Sequence, residues 1–411
     1  MTYRIMATVA AGALAASAGT ALAGCGIESG SVRILSNDFA ALHAIADWAE
    51  KCAGDGVEVT RNQTEEHKNI QVPALSTNPA SYTVAVVATN SIVPLLNEDL
   101  VRPLDDLVAQ HGQQLLDSQL IRVDGKIMAI AFMANGQHLW YRSDLLEKNG
   151  LEPPRSYDEM VEAAKVLRES GDVENPLALN LMPGWNLAAE FVNAYLGTGG
   201  EFFEPGGAGL AIENEDGIAA LEAMKAASEY MSPDFVTYDS NAMKPLWDAG
   251  EVAMSVSWGS RAADQLEGSA SPEIAETIRF AAAPTIGDGT IPAAALWWDG
   301  FTIAKNISDE DAEASFIAMM NGISPEMMQE NMGAAVWLID GYEPTPAAEG
   351  VIANLQGGSR PYPMVPFMGI LHSALGDNLA EYMQGEETAE QALADVTQAY
   401  TTAAREAGYL N

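Results

Sequence analysis

The stretch SVRILSNDFAALHAIADWAEKCAGDGVEVT, residues 31–60, decides the reading of the fold. Ser31–Leu35 is β-like. Residues 39–52 then place Ala41, Leu42, Ile45 and Trp48 on one helical stripe. Val57–Thr60 is a second strand, and Ile70–Leu75 belongs to a second helix. Tyr82–Ala88 is nearly continuously apolar, the mark of a strand buried on both faces. This rhythm predicts βαβ units and a mainly parallel sheet flanked by helices.

Working outward, Asp124-Gly125-Lys126 is a turn between two β-like runs, Leu120–Val123 and Ile127–Phe132. Ser143–Asn149 is a short helix stopped by Gly150. Ser156 and Glu159 form a capping box that opens a helix through Arg168. A second α/β region follows. Its strands are 177–181, 252–257 and 279–283, and its helices are 186–197 and 213–230. Phe301–Ala304 leads into a helix over 309–321, whose Asp309, Glu310 and Asp311 suit its positive end. The tail, 372–384 and 388–407, is helical.

The first residues read as an address. Arg4 is the only charged residue before Glu28, and a weakly apolar run ends in Ala21-Leu22-Ala23, a small-x-small cleavage pattern. The expectation is a signal peptide over 1–23 and export to the periplasm. The remainder of a 411-residue chain is too long for one ordinary core, so two lobes are expected. With 57 acidic residues against 20 Lys and Arg, the formal charge is −37. Such a surface repels phosphate backbones and anionic headgroups, which excludes nucleic acid and lipid surfaces as partners.

The two cysteines, Cys25 and Cys52, are an even pair in an exported chain and predict a disulfide. The start of the first strand and the end of the first helix bring them together. Leu22-Ala23-Gly24-Cys25 also has the form of a lipobox, which would anchor Cys25 to lipid instead. The histidines, at 43, 67, 111, 138 and 372, lack metal-ligand spacing, so neither metal nor cofactor is expected. No nucleophile elbow, zincin helix or phosphate loop is present.

Three segments in order carry a resemblance. The first runs from Val123-Asp124-Gly125-Lys126-Ile127 through Leu139-Trp140-Tyr141-Arg142-Ser143-Asp144-Leu145-Leu146. It continues into Asn149-Gly150-Leu151-Glu152-Pro153-Pro154 and Ser156-Tyr157-Asp158-Glu159-Met160. The second is Trp247-Asp248-Ala249-Gly250-Glu251-Val252-Ala253-Met254 with Trp258-Gly259. The third is Trp298-Asp299-Gly300-Phe301-Thr302-Ile303-Ala304 with the helix at 312–316. Together they resemble the family 1 extracellular solute-binding proteins of bacterial ABC importers, the sugar-type receptors related to maltose-binding protein. Ala131-Phe132 departs from the family where a Pro is common, and Tyr157 stands in place of its usual Trp.

The resemblance implies a two-lobed, type II-like periplasmic-binding-protein fold with three hinge crossings, near 133–136, 280–284 and 336–342. The N-terminal lobe would be 24–134 plus 284–338, and the C-terminal lobe 135–283 plus 339–411. It implies a non-enzymatic monomer that closes around a ligand and docks on membrane permease subunits with their cytoplasmic ATPase.

A neutral mono- or oligosaccharide offers apolar ring faces and a hydroxyl rim, which call for indoles beside short polar side chains. Open α/β sheets place ligands just past strand ends. Trp185 and Trp258 follow strands; Trp297 and Trp298 precede Asp299-Gly300; Trp337 sits at the third crossing. The polar candidates are Asn37, Asp38, Asn90, Ser91, Asn135, Glu65 and Asp299. Trp48, Trp140 and Trp247 read as core. Lys68, Arg261 and Arg360 are the only cations near these segments, too few to favour an anionic ligand. A polyol or a glycerol-linked or anionic sugar derivative is the alternative ligand, and an exported glycoside hydrolase the alternative class.

Overall fold

The computed structural model describes residues 25–54 and 56–411. The expected export segment over 1–23 lies outside the described residues. Among the described residues, eleven strands form two sheets. The first contains β1 (Gly30–Ser36), β2 (Val57–Gln63), β3 (Val84–Ala88), β4 (Leu120–Val123), β5 (Lys126–Asn135), β10 (Trp297–Ile303) and β11 (Val336–Trp337). The second contains β6 (Gln137–Arg142), β7 (Leu177–Ala178), β8 (Met254–Trp258) and β9 (Ile278–Ala281). Helices cover both, so the two-lobed α/β architecture is the expected one.

The sheets are mixed, which corrects the expectation of mainly parallel ones. Only β1 with β2, β1 with β3, and β7 with β8 run parallel. β10 is antiparallel to β3 and β5, and β6 is antiparallel to β8 and β9. Short links are the cause. Asp124 and Gly125, both at positive φ, turn β4 directly into β5, and a two-residue link can join only antiparallel strands. β10 enters the first sheet from the other lobe and so runs against its neighbours.

Local chemistry explains the helix starts. Ser156 Oγ accepts from Glu159 N while the Glu159 carboxylate accepts from Arg155 N at 2.7 Å. Ser308 caps helix Asp309–Gly322 in the same way, with three acids in its first turn. The expected strand 177–181 is shorter than predicted. Asn180 leaves the ladder to donate to Glu190 Oε1 and Val256 O. The strand expected at 301–304 is longer, starting at Trp297. Trp140 and Trp247 are fully buried, as expected of core residues, and Trp48 is half-buried beneath Lys51.

A single residue, Gly136, separates β5 of one sheet from β6 of the other. A Cβ there would lie 3.2 Å from Ala295 O, tight against a returning crossing. Buried amides tie the crossings to each other. Asn193 Nδ2 donates to Gln137 Oε1, and its Oδ1 accepts from Ala295 N. Asn354 Nδ2 donates to Gln137 O, and its Oδ1 accepts from Ala283 N. Ala293, Ala295 and Trp297 pack with the core of the second sheet.

Cys25 and Cys52 are disulfide-bonded with their Cα atoms 4.9 Å apart. That bond occupies the sulfur which the lipobox reading would have acylated. It closes a loop across 27 residues, worth about 3–4 kcal/mol in the chain-entropy model. Cys52→Ser should therefore lower stability by roughly that amount in chemical denaturation. An unchanged denaturation midpoint would show that the crosslink contributes nothing.

Candidate ligand-binding site

The two sheets converge on a cavity of about 350 Å³. Three indoles form its apolar wall. Trp185 and Trp258 have ring centroids 5.8 Å apart, Trp185 and Trp297 5.9 Å, and Trp258 and Trp297 5.7 Å. Each arrives by a local rule. Gly184, at φ 92° and ψ −137°, turns the chain so that Trp185 opens helix Trp185–Thr198. The turn is pinned where Gly184 N donates to Gly376 O, and a Cβ on Gly376 would lie 2.4 Å from Gly184 O. Trp258 is the last residue of β8. Trp297 opens β10, and the period of two along that strand sends Trp297 and Asp299 to the cavity and Trp298 to the other face.

A second set of groups holds the indoles in place. His372 Nε2 lies 3.1 Å from Trp185 O, and the Tyr362 hydroxyl lies 3.0 Å from His372 Nδ1. With Nε2 donating, Nδ1 accepts from the phenol. Burial holds His372 neutral, with its pKa down to about 3. The Tyr362 ring packs 4.2 Å from Trp297.

Polar groups complete the lining. Lys68 Nζ sits 3.8 Å above the Trp185 ring. Burial lowers its pKa to about 8, against the opposing pull of Asp299. Burial likewise raises Asp299 to about 7, against Lys68 and a hydrogen bond from Asn135. Asn135 Oδ1 also accepts from Gly136 N and Ser260 N, which fixes its amide at the crossing. Asn37, Glu65, Asn90, Asn186 and Asp239 face the same space. Three buried polar atoms there have no protein partner: Trp185 Nε1, Trp297 Nε1 and Asn90 Oδ1.

Of the residues expected in the site, the cavity unites Trp185, Trp258, Trp297, Asp299, Asn37, Asn90, Asn135 and Glu65. It does not include Trp298, Trp337, Asp38 or Ser91. Trp298 packs against the cluster of Ala85, Val87 and Met128. Trp337 is 3% exposed in the core and donates its indole N–H to Asn331 O. Its short strand pairs with Met133, which turns the ring inward. Asp38 is exposed and pairs with His43 at 2.5 Å. Ser91 Oγ is taken up by Ala88 N. Lys68 and Arg261, named from sequence only as nearby cations, line the cavity along with Phe39, His67 and Asn241. Their signal was proximity to the strand ends, without a pattern to separate them from solvated charges.

Two wound lobes with an indole-walled crevice between them define a receptor that grips a small molecule. The chain belongs to the bacterial extracellular solute-binding proteins, whose family model matches residues 35–323. A probable ABC transporter-binding protein of Deinococcus radiodurans is 28% identical over 340 residues, covering 76% of this chain and 75% of that protein. Among solved structures, the maltose-bound MalE3 of T. maritima superposes with a TM-score of 0.80 at 19% identity, covering 91% of this chain and 100% of that one. A solute-binding protein of Agrobacterium radiobacter K84 in complex with ribitol gives 0.78 at 19% identity, over 92% and 99%. The family and fold are those of non-enzymatic substrate-binding components of ABC transporters, which sets aside the glycoside hydrolase reading. Among the described residues no helix is long and apolar enough to cross a membrane.

Asp299 gives the site a pH signature. Its folded pKa, about 7, lies above the ~3.9 of an unfolded Asp. The folded state therefore binds the proton more tightly between those values. Its contribution favours folding at low pH and is lost as pH rises through 7. Asp299→Asn should match wild type most closely near pH 5 and gain on it by on the order of 2–3 kcal/mol by pH 8. Melting curves of the two proteins that stay parallel across that range would refute the assignment.

Proposed function

We propose that this chain captures a neutral saccharide or sugar alcohol between its lobes and delivers it to the permease subunits of an ABC importer. The observation that carries the reading is the meeting of three indole rings with short polar side chains around one cavity. Two indole N–H donors and one amide oxygen lie buried without partners beside three aromatic faces. Aromatic faces beside Asn37, Asn90, Asn135 and Asp299 suit a ligand with apolar ring faces and a rim of hydroxyls. Its C–H faces stack on the rings while its hydroxyl rim bonds the short polar side chains of the lining.

Charge supports a neutral ligand. The cavity lining carries Lys68 and Arg261 against Glu65, Glu66, Asp239 and Asp299. Arg261 is already engaged with Asn241. An anion would face more acids than free cations, and no bidentate Arg pair awaits it. Maltose in one structural neighbour, and ribitol and D-mannitol in two others, are uncharged polyhydroxy compounds. The polyol alternative rests on those last two.

The lobe boundaries belong to the same proposal. The first lobe takes 24–134 and about 296–338, and the second 135–295 and 339–411, in place of the middle boundary expected at 284. The middle crossing is best drawn near Leu296, since Ala293 and Ala295 pack with the second core. Export with cleavage near Ala23 and a monomeric receptor complete the reading.

A thermal-shift screen over neutral mono- and disaccharides, polyols and sugar phosphates tests the ligand class. Ligand at 100 times Kd should add about 2.7 kcal/mol of stability. Neutral compounds should raise the melting point and phosphates should not. Trp258→Ala should weaken the best neutral ligand at least tenfold by calorimetry. A shift produced by anionic sugars alone would defeat the reading.

A further inference from the structure

Helix His67–Leu75 follows β2 of the first sheet, and its second residue, Lys68, reaches into the cavity. The Lys68 ammonium stands 3.8 Å above the centroid of the Trp185 ring, and Trp185 opens a helix on the second sheet's side. Among the described residues this ammonium forms no salt bridge. Asp299 acts on it through space, without a hydrogen bond. The indole face is therefore its direct partner.

That contact takes the surface a stacked ligand needs. Trp185 is already flanked by Trp258, Trp297 and His372, with ring centroids 5.8, 5.9 and 5.3 Å away. A sugar stacked on an indole would place its carbons about 3.5–4 Å from the ring. The ammonium stands at that height, so ligand and ammonium cannot share the face. The lysine has a second station. Its charge rides on a flexible four-carbon stem, and Asp299 lines the same cavity. Each of the two favours the charged form of the other against burial, and a shorter separation strengthens that pull.

We propose that Lys68 is a built-in occupant of the Trp185 face in the ligand-free receptor, displaced towards Asp299 when a saccharide or polyol stacks there. Affinity is then the outcome of a competition, and Lys68 filters out compounds that cover an indole less well than its own ammonium does. This rests on the neutral-ligand reading above.

NMR of the full chain with 13C-labelled lysine reads the displacement directly, because protons held above an indole face resonate upfield. Lys68→Arg identifies the Lys68 signal by removing it. Without ligand, the Lys68 ε-methylene should lie upfield of a free lysine, and saturating maltose or ribitol should return it to the free position. Lys51, which lies over Trp48 outside the cavity, is the internal control and should not move. A Lys68 signal at the free position without ligand, or one still upfield at saturation, would overturn the proposal. Calorimetry supplies the sign. Lys68→Ala should bind the better of the two probes about two- to thirtyfold more tightly, the span of a cation–π contact. Lys68→Arg, which keeps a cation on the ring, should bind no more tightly than wild type. Equal or weaker binding by Lys68→Ala, shown to be folded by circular dichroism, would overturn the competition and leave the saccharide reading intact. Binding of neither probe by wild type or by Lys68→Ala would overturn both.

Discussion

Three indoles from distant parts of the chain meet within 6 Å of one another, and the rest of the site is arranged around that meeting. Trp185 and Trp258 belong to the second sheet's side. Trp297 starts a strand of the first. The contact therefore exists only because the sheets converge at their edges, and they converge because one glycine joins β5 to β6. A longer link would let the sheets drift apart. The amides of Asn193, Asn354 and Gln137 add the second restraint, since they bind the crossings from both sides in a buried setting where unmade bonds are costly.

The polar chemistry follows from the same enclosure. Asp299 and Lys68 each lose ionisation strength to burial, and each partly restores the other. A lone buried charge would be far more costly than this loosely coupled pair. Lys68 also rests on Trp185, so it uses the aromatic face as a weak partner, a contact of about 0.5–2 kcal/mol. The indole N–H groups have no such consolation. The cavity thus sets Lys68 against Asp299, keeps an excess of acids, and surrounds its indoles with neutral hydrogen-bonding side chains. That combination favours hydroxyls over charged ligands.

Much of this was legible in the sequence, and what escaped has physical causes. The βαβ rhythm, the capped helices and the cysteine pair could be read because they are local or periodic. Of the five tryptophans expected at the cleft, Trp185, Trp258 and Trp297 line the cavity, whereas Trp298 lies off it because of a boundary. Strand β10 begins four residues earlier than its apolar run suggests, because Trp297 and Asp299 are polar-rimmed residues pointing into a cavity. With the start misplaced, the period-two alternation could not choose between Trp297 and Trp298. Trp337 failed otherwise: its place at a crossing is right in chain order, yet the ring turns into the core to reach Asn331 O. The roles of Lys68 and Arg261 depend on contacts over 100 residues apart in sequence, which no spacing rule encodes.

Beside the indole contacts, the polar and charged bridges across the mouth of the cavity are individually weak. Glu65 with Asn241 is an exposed hydrogen bond, Arg261 lies 5.8 Å from the Phe39 ring, and Lys68 caps Trp185. The first two are worth about a kilocalorie or less, and the third about 0.5–2 kcal/mol. Against them stands a surface of net charge −37, whose two halves repel each other. In the proposed receptor this repulsion opposes closure. A saccharide that bonds Asn90 and Asp299 from one side and Trp185 from the other supplies the differential affinity that any ligand-driven equilibrium requires. An apolar ligand of equal size would stack on the indoles yet leave Asn90 and Asp299 unsatisfied, and so could not bridge the lobes. The polar side chains of the lining make closure depend on the hydroxyl pattern, and not merely on size.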